Sequence, residues 1–309
     1  RKFQRQVFAV AAILVAVLLG PVNFASRGTP TPTLRRDWYP LDACRFMEEA
    51  DLVDLRFYNS YEWGGYLLWR WGPERKVFID GRCLVYGDDL LEETFIVSDG
   101  NGPEPGEGRP GWRDVLEKWD VDLVLFRYTV YDAKHFLQDD RWPCVHWDDT
   151  ALVLVEREVW RERGLPELDQ SNPVTFDWRE GPADVHEALE EIEVVLARDT
   201  TCWTAMAEKA RCLVILAQQE GDEGRLEQAE RLVASALELS QRQHSAPWLA
   251  EFYVARALAD KARAGHARKR AMATRERWLS HSEIEGRLPA EDGEDATPES
   301  PDVPSANAP

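Results

Sequence analysis

Between Phe57 and Arg82 the chain reads FYNSYEWGGYLLWRWGPERKVFIDGR, and no other stretch sets aromatics, glycines and acids so close together. Tyr61, Trp63 and Tyr66 can form an aromatic platform, with Glu62, Asp80 and Arg82 as polar contacts. Gly64 and Gly65 permit backbone conformations that side-chained residues avoid. A loop of this kind at the strand ends of an α/β sheet is where ligands usually bind. A structural reading stands beside it: Trp63, Trp69 and Trp71 pack near a membrane surface, where amphipathic aromatics are favoured, and Asp80 pairs with Arg82.

Catalytic sets are not legible. There is no Ser-His-Asp arrangement, no carboxylate pair and no histidine cluster; the six histidines are scattered, and His135 and His146 read as ordinary polar surface. Cys44, Cys83, Cys144, Cys202 and Cys212 lack the Cys-x-x-Cys spacing of a zinc site, so neither a metal nor a cofactor is expected. Cys202 and Cys212 fall on one predicted helix, too far apart to bond each other. The Gly- and Pro-rich run from Ser98 to Gly111 has no phosphate-binding glycine fingerprint after a strand. A formal charge of −19 argues against nucleic acid as a partner, because phosphate binding needs a basic surface.

The elements that must position the motif follow from hydrophobic patterning. Leu41–Ala50 reads as an amphipathic helix and Val53–Tyr58 as a strand, followed by further strands at Lys76–Asp80, Val121–Phe126 and Ala151–Glu156. Helical patterns fall between them at Asp88–Ile96, Trp112–Trp119 and Tyr131–Gln138. Short runs rich in Val, Leu and Phe belong to strands buried on both faces, so residues 41–160 are expected to fold as a doubly wound α/β domain with a parallel sheet.

Upstream, 21 uncharged residues separate Arg5 from Arg27, with an apolar core over Val7–Leu19. That is about the length needed to cross roughly 30 Å of hydrocarbon. Arg1, Lys2 and Arg5 keep the start cytoplasmic by the positive-inside rule and send the rest outside. A signal peptide is the alternative reading, since a basic stretch, a short apolar run and Asn23-Phe24-Ala25 before Ser26 imitate one. The chain begins at Arg1, so more sequence is expected ahead of it.

Residues 1–26 are thus expected as a transmembrane helix and flank, 27–40 as a linker, 41–160 as the α/β domain and 161–182 as a second linker. Residues 183–280 are rich in Ala, Leu, Glu and Arg, with helices predicted at Ala183–Arg198, Trp203–Glu220, Arg225–Gln241 and Trp248–Ala264, and a further one towards Leu279. Ala207, Ala210, Ala229, Ala236 and Ala255 recur on their apolar faces, as in tetratricopeptide-type hairpins, although an ordinary helical bundle has the same pattern. Residues 281–309 carry eight acids against Arg287 alone and read as a disordered acidic tail.

Asn-Ser-Tyr-Glu-Trp-Gly-Gly-Tyr, followed by Lys-Val-Phe-Ile-Asp-Gly-Arg and then Val-Asp-Leu-Val-Leu-Phe, resembles the soluble C-terminal region of bacterial multi-pass proteins related to the membrane-embedded C-type glycosyltransferases. More distantly it is similar to the oligosaccharyltransferase catalytic subunit, whose Trp-Trp-Asp-Tyr-Gly motif precedes an Ala-Asp-Gly segment and a Val-Asp-Tyr strand in the same order. The resemblance covers about residues 38–156. It implies that Tyr61, Glu62, Trp63 and Gly64 match the part of that motif that contacts the acceptor, and Asp80-Gly81 the later Asp-Gly. Glu62 stands in place of an aspartate, and Gly64-Gly65 in place of Tyr-Gly.

The resemblance further implies a lipid-linked sugar donor and a bacterial inner-membrane protein with its soluble part outside the cytoplasm. The catalytic acid of such enzymes lies on an earlier loop, which this chain does not contain. The other function class is a non-enzymatic, membrane-anchored envelope protein whose helical repeats bind a protein partner.

Overall fold

The computed structural model describes residues 35–102, 110–274, 284 and 286–289. The expected membrane helix, most of the linker after it, and nearly all of the acidic tail lie outside the described residues. Among those described, no helix is long and apolar enough to cross a membrane. The chain divides into two compact units, Arg1–Tyr39 and Pro40–Pro309. Everything that follows concerns the second.

It is a mixed α/β unit, with eleven α-helices and one four-stranded sheet among the described residues. Helix α1 spans Leu41–Glu49 and buries Ala43, Cys44, Phe46 and Met47, a single face at helical spacing. Strand β1 (Phe57–Asn59) lies parallel to β2 (Leu123–Phe126), in register from Phe57 opposite Leu123. Strands β3 (Cys144–Trp147) and β4 (Leu152–Val155) complete the order β1-β2-β4-β3, and every residue of the four strands is buried. The helices between them are α2 (Gly64–Trp71), α3 (Cys83–Asp99), α4 (Trp112–Lys118) and the single turn α5 (Lys134–Leu137).

The sheet departs from the parallel arrangement expected. Both β2–β4 and β3–β4 are antiparallel. For β3–β4 the cause is the length of the connection: only Asp148, Asp149, Thr150 and Ala151 separate the two strands, far fewer than a parallel crossover requires. Asp148 shapes that turn, its Oδ1 accepting from the Thr150 and Ala151 amides at 2.8 Å, while Oδ2 accepts from Ala43 N at 3.0 Å and ties the turn to α1. His146, read as surface from its type, is buried in β3 and stacks on Phe46 at 4.7 Å between ring centroids. His135 is half-buried against Phe136 and Trp112.

Lys76–Asp80 forms no strand; it is irregular, bends at Phe78 and is held to β1 by the Asn59 side chain. Helix α3 is longer than its pattern suggested, because two helical stretches join at Gly87, whose φ of 79° is open to glycine at little cost.

After β4 come α6 (Arg157–Arg163), α7 (Val185–Arg198), α8 (Trp203–Glu220), α9 (Glu223–Leu239), α10 (Ser245–Ala257) and α11 (Lys261–Ala273). The starts of α7, α9 and α11 are capped by acids: Asp184 accepts from the His186 and Glu187 amides, Asp222 from Gly224 and Asp260 from Arg263. Asp260 also explains why the single helix expected over Trp248–Ala264 is two, since it caps a new one just after Ala259 turns at φ 57°. Helix α8 packs against α7, α9 and α10, and α10 against α11. The five alanines singled out on the apolar faces are all fully buried.

The stretch 161–182, expected as a linker, is largely packed. Leu168, Val174, Phe176 and Trp178 are buried in a hydrophobic cluster that runs from the sheet into the helices. Glu191 of α7 accepts from the Asp169, Gln170 and Ser171 amides, and Arg211 of α8 donates to the Trp178 and Arg179 carbonyls. Ile284 and Leu288, within the stretch read as solvated tail, are also buried.

Candidate functional site

The motif begins where β1 ends. Asn59 is fully buried, and its carboxamide does the work of a strand edge: Oδ1 accepts from Phe78 N at 2.9 Å and Nδ2 donates to Ile79 O at 3.0 Å. A side chain thereby holds the extended segment 76–80 where a neighbouring strand's backbone would otherwise stand. Ser60 follows with its Oγ accepting from Arg127 N at 2.8 Å and its amide donating to Leu125 O at 3.1 Å, which joins the motif to β2. The chain then turns through one 3-10 turn, Tyr61–Trp63, into α2.

Gly64 is where α2 and the 79–80 segment meet. A Cβ there would overlap Ile79 O and stand 2.6 Å from Asp80 Cα. Gly65 differs entirely, with nothing within 4 Å of the position its Cβ would take. The two glycines of the motif therefore have separate roles: one permits close packing and the other faces open space.

Asp80 is buried, and its carboxylate is saturated. Oδ1 accepts from the Arg82 amide at 2.8 Å and from Arg82 Nε at 2.9 Å; Oδ2 accepts from Arg82 Nη2 at 2.6 Å and Tyr86 Oη at 2.5 Å. These bonds, led by those from the Arg82 side chain, hold Asp80 well below the usual carboxylate range. The same pair raises Arg82. A carboxylate so engaged is a poor proton acceptor, and the pair acts as a brace between the 76–82 segment and the start of α3.

The aromatic platform does not assemble. Trp63 is fully buried and Tyr66 is buried, while Tyr61 is half-buried. Tyr66 Oη accepts from Arg70 Nη1 at 2.9 Å. Arg70 in turn donates two bonds to Glu48 of α1, at 2.7 and 2.8 Å, and Trp71 Nε1 donates a third at 2.7 Å. Arg70, first among the causes, holds Glu48 below its ordinary range. Trp69 alone of these tryptophans stands out, 71% exposed.

Glu62 points a different way from Asp80. Its Oε1 accepts from Tyr131 Oη at 2.9 Å and lies 4.0 Å from Arg127 Nη1, whose guanidinium is buried. Its Oε2 is buried without a hydrogen-bond partner among the described residues. Burial first, and then Glu62, raise the Tyr131 hydroxyl above its ordinary value. Five of the eight candidates thus fall into three groups, with Tyr61, Trp63 and Gly65 outside them: Gly64, Asp80 and Arg82 together; Tyr66 with Arg70; and Glu62 with Tyr131 and Arg127. Only the last retains an acceptor with no internal bond.

No protein-family model, curated protein or solved structure matches this chain. The site must therefore be read from its own chemistry. Among the described residues no group of three or more His, Cys, Asp or Glu side chains is arranged to hold a metal ion. Cys44, Cys144, Cys202 and Cys212 are free and buried, and burial raises their thiols, so none is an activated nucleophile.

Three residues that shape the site carried weak sequence signals. Asn59 sits inside the quoted motif, but its type suggests a turn rather than a clamp. Arg127 and Tyr131 follow β2, more than sixty residues from Glu62, and nothing local to either sequence joins them.

Proposed function

We propose that this chain is the C-terminal, extracytoplasmic part of a multi-pass, glycosyltransferase-like protein of the bacterial inner membrane that uses a lipid-linked sugar donor. The apolar segment Val7–Leu19 would be its last membrane span, and its catalytic loop would lie in sequence ahead of this chain. One observation carries the reading. The Asn-Ser-Tyr-Glu-Trp-Gly and Phe-Ile-Asp-Gly segments, which the resemblance pairs in order, interlock through Asn59 and through the contact of Gly64 with Asp80. In this role Trp63, Gly64, Asp80 and Arg82 are scaffold, and Glu62, which keeps one unbonded and buried oxygen beside Tyr131 and Arg127, is the acid assigned to acceptor recognition. The accessory unit presents that acid and does not itself catalyse.

The test is made in the full-length protein in membranes, measuring transfer from a polyprenyl-linked sugar. Glu62→Gln should leave folding intact and reduce transfer at least tenfold, and a reporter fused after Trp160 should register outside the cytoplasm. Unchanged transfer by a folded Glu62→Gln variant, or a cytoplasmic reporter signal, refutes the proposal.

A second reading, a membrane-anchored protein whose tetratricopeptide-like helices bind a protein partner, is favoured by the buried alanines Ala207, Ala210, Ala229, Ala236 and Ala255. Partner capture that survives Glu62→Gln and is lost when α9 and α10 are altered on their exposed faces would select it.

A further inference from the structure

At the start of α8 a cavity of about 30 Å³ opens between the β3–β4 turn, Tyr128 and Thr129 after β2, Trp178, and the start of α10. Three aromatic side chains line it, Tyr128, Trp178 and Trp203, the last stacked on His244 with ring centroids 5.0 Å apart. Two acids reach it, and they differ in what they already do. Asp149 caps α8 from outside, accepting from the Thr204 amide at 2.8 Å and the Trp203 amide at 3.2 Å. Glu208, on α8 itself, is 0% exposed, and neither of its carboxylate oxygens has a hydrogen-bond partner among the described residues. A carboxyl group buried without hydrogen bonds is costly, so this is the most conspicuous polar group that packing alone leaves unexplained.

A countercharge arrives from the far end of the unit. Arg287 lines the same cavity, and its charge is the influence acting against the upward shift that burial imposes on Glu208. It is carried there by a short docked segment. Ile284 and Leu288 are buried, Tyr253 Oη donates to Arg287 O at 2.7 Å, and Arg268 Nη1 donates to Pro289 O at 3.0 Å.

We propose that this cavity is a guanidinium-recognition pocket, bordered from within the chain by Arg287 and able to take the guanidinium of an arginine against Glu208. Two unbonded carboxylate oxygens match the parallel N–H groups of a guanidinium fork, which a lysine ammonium does not reproduce. Tryptophan and tyrosine walls suit the flat face of the same group. The remaining volume holds one or two water-sized groups, too little for a free metabolite and enough for the end of a side chain. Selectivity follows from burial: an occupant without a cation leaves Glu208 unpaired in an apolar surround. The inference is independent of the glycosyltransferase reading.

Chemical rescue tests it in the full chain. Arg287→Ala should lower Tm, and N-acetyl-arginine amide should restore part of that loss saturably. N-acetyl-citrulline amide, which keeps the shape and lacks the charge, should not, and adding Glu208→Gln to Arg287→Ala should abolish the rescue. Absence of saturable rescue, or equal rescue by the citrulline compound or in the double variant, overturns the proposal. If Arg287→Ala does not fold, hydrogen exchange on Glu208→Gln decides. Amides of residues 286–288 should exchange on the order of tenfold faster or more while those of β2 and β4 keep their protection. Unchanged exchange at 286–288 overturns the proposal equally.

Discussion

Gly64 and Gly65 adjoin in sequence and should respond oppositely to the same substitution. In Gly64→Ala the new methyl meets Ile79 O and Asp80 Cα, both backbone atoms that cannot rotate away. Relief requires the 79–80 segment to move outward, and Ile79 O is the acceptor for Asn59 Nδ2. Overpacking of this kind costs about 1–3 kcal/mol, and leaving a buried carboxamide donor unsatisfied adds about 1–3 kcal/mol. The variant should therefore lose about 2–5 kcal/mol, taking both terms as partly realised. Gly65→Ala meets no atom and lies in the first turn of α2, so it should be neutral or gain up to about 1 kcal/mol from reduced chain entropy. Urea unfolding followed by tryptophan fluorescence and far-UV circular dichroism gives both values on one scale. If the two variants agree within about 0.5 kcal/mol, ordinary surface scatter, the clamp between α2 and Asp80 does not exist as described.

Trp63→Ala should cost about 3–5 kcal/mol, as for other buried aromatics, and a loss below about 1 kcal/mol in the same unfolding experiment would place the ring outside the core. Truncation after Leu279 removes Ile284 and Leu288 from their buried positions and should lower Tm, the lost burial amounting to about 3–6 kcal/mol; an unchanged melting curve would show the segment to be unpacked. Asp149 is pushed up to about 7 by burial, which opposes the charged form. Its folded value exceeds its unfolded one, so its contribution is fully present below about pH 4 and is lost as pH rises to about 7. Asp149→Asn should flatten the fall in stability across that window, and an identical pH profile for both proteins would contradict the shift.

Where local physics decides an element, the sequence was readable. Helices α4 and α8 lie where their apolar periodicity and flanking turns put them, and β2 and β4 coincide with their runs of Val and Leu. Pattern failed where a choice depended on a distant partner. KVFID has the composition of a buried strand, yet a side-chain amide twenty residues earlier occupies the edge to which it would have bonded. Strand β3, CVHW, contains a histidine that reads as polar. Only its four-residue separation from β4, together with Phe46 from α1, makes it a buried antiparallel strand.

The candidate residues were legible as neighbours and not as an arrangement. Composition drew attention to Tyr61–Tyr66 and Asp80–Arg82, and the structure indeed brings parts of the two together. A motif dense in aromatics, however, has two ways to spend them. Trp63 is buried, and Gly64 beside it, read as a position of backbone freedom, instead lets α2 approach the 79–80 segment closely. Asp80 loses its acceptor capacity to Arg82 two residues on, a local ion pair that sequence did suggest. Glu62 keeps its capacity because its partners, Tyr131 and Arg127, bond only one oxygen. Of three acids and bases that look equivalent in one dimension, two are consumed by bracing the fold, and the one left with an open lone pair is the one whose neighbours come from another part of the chain.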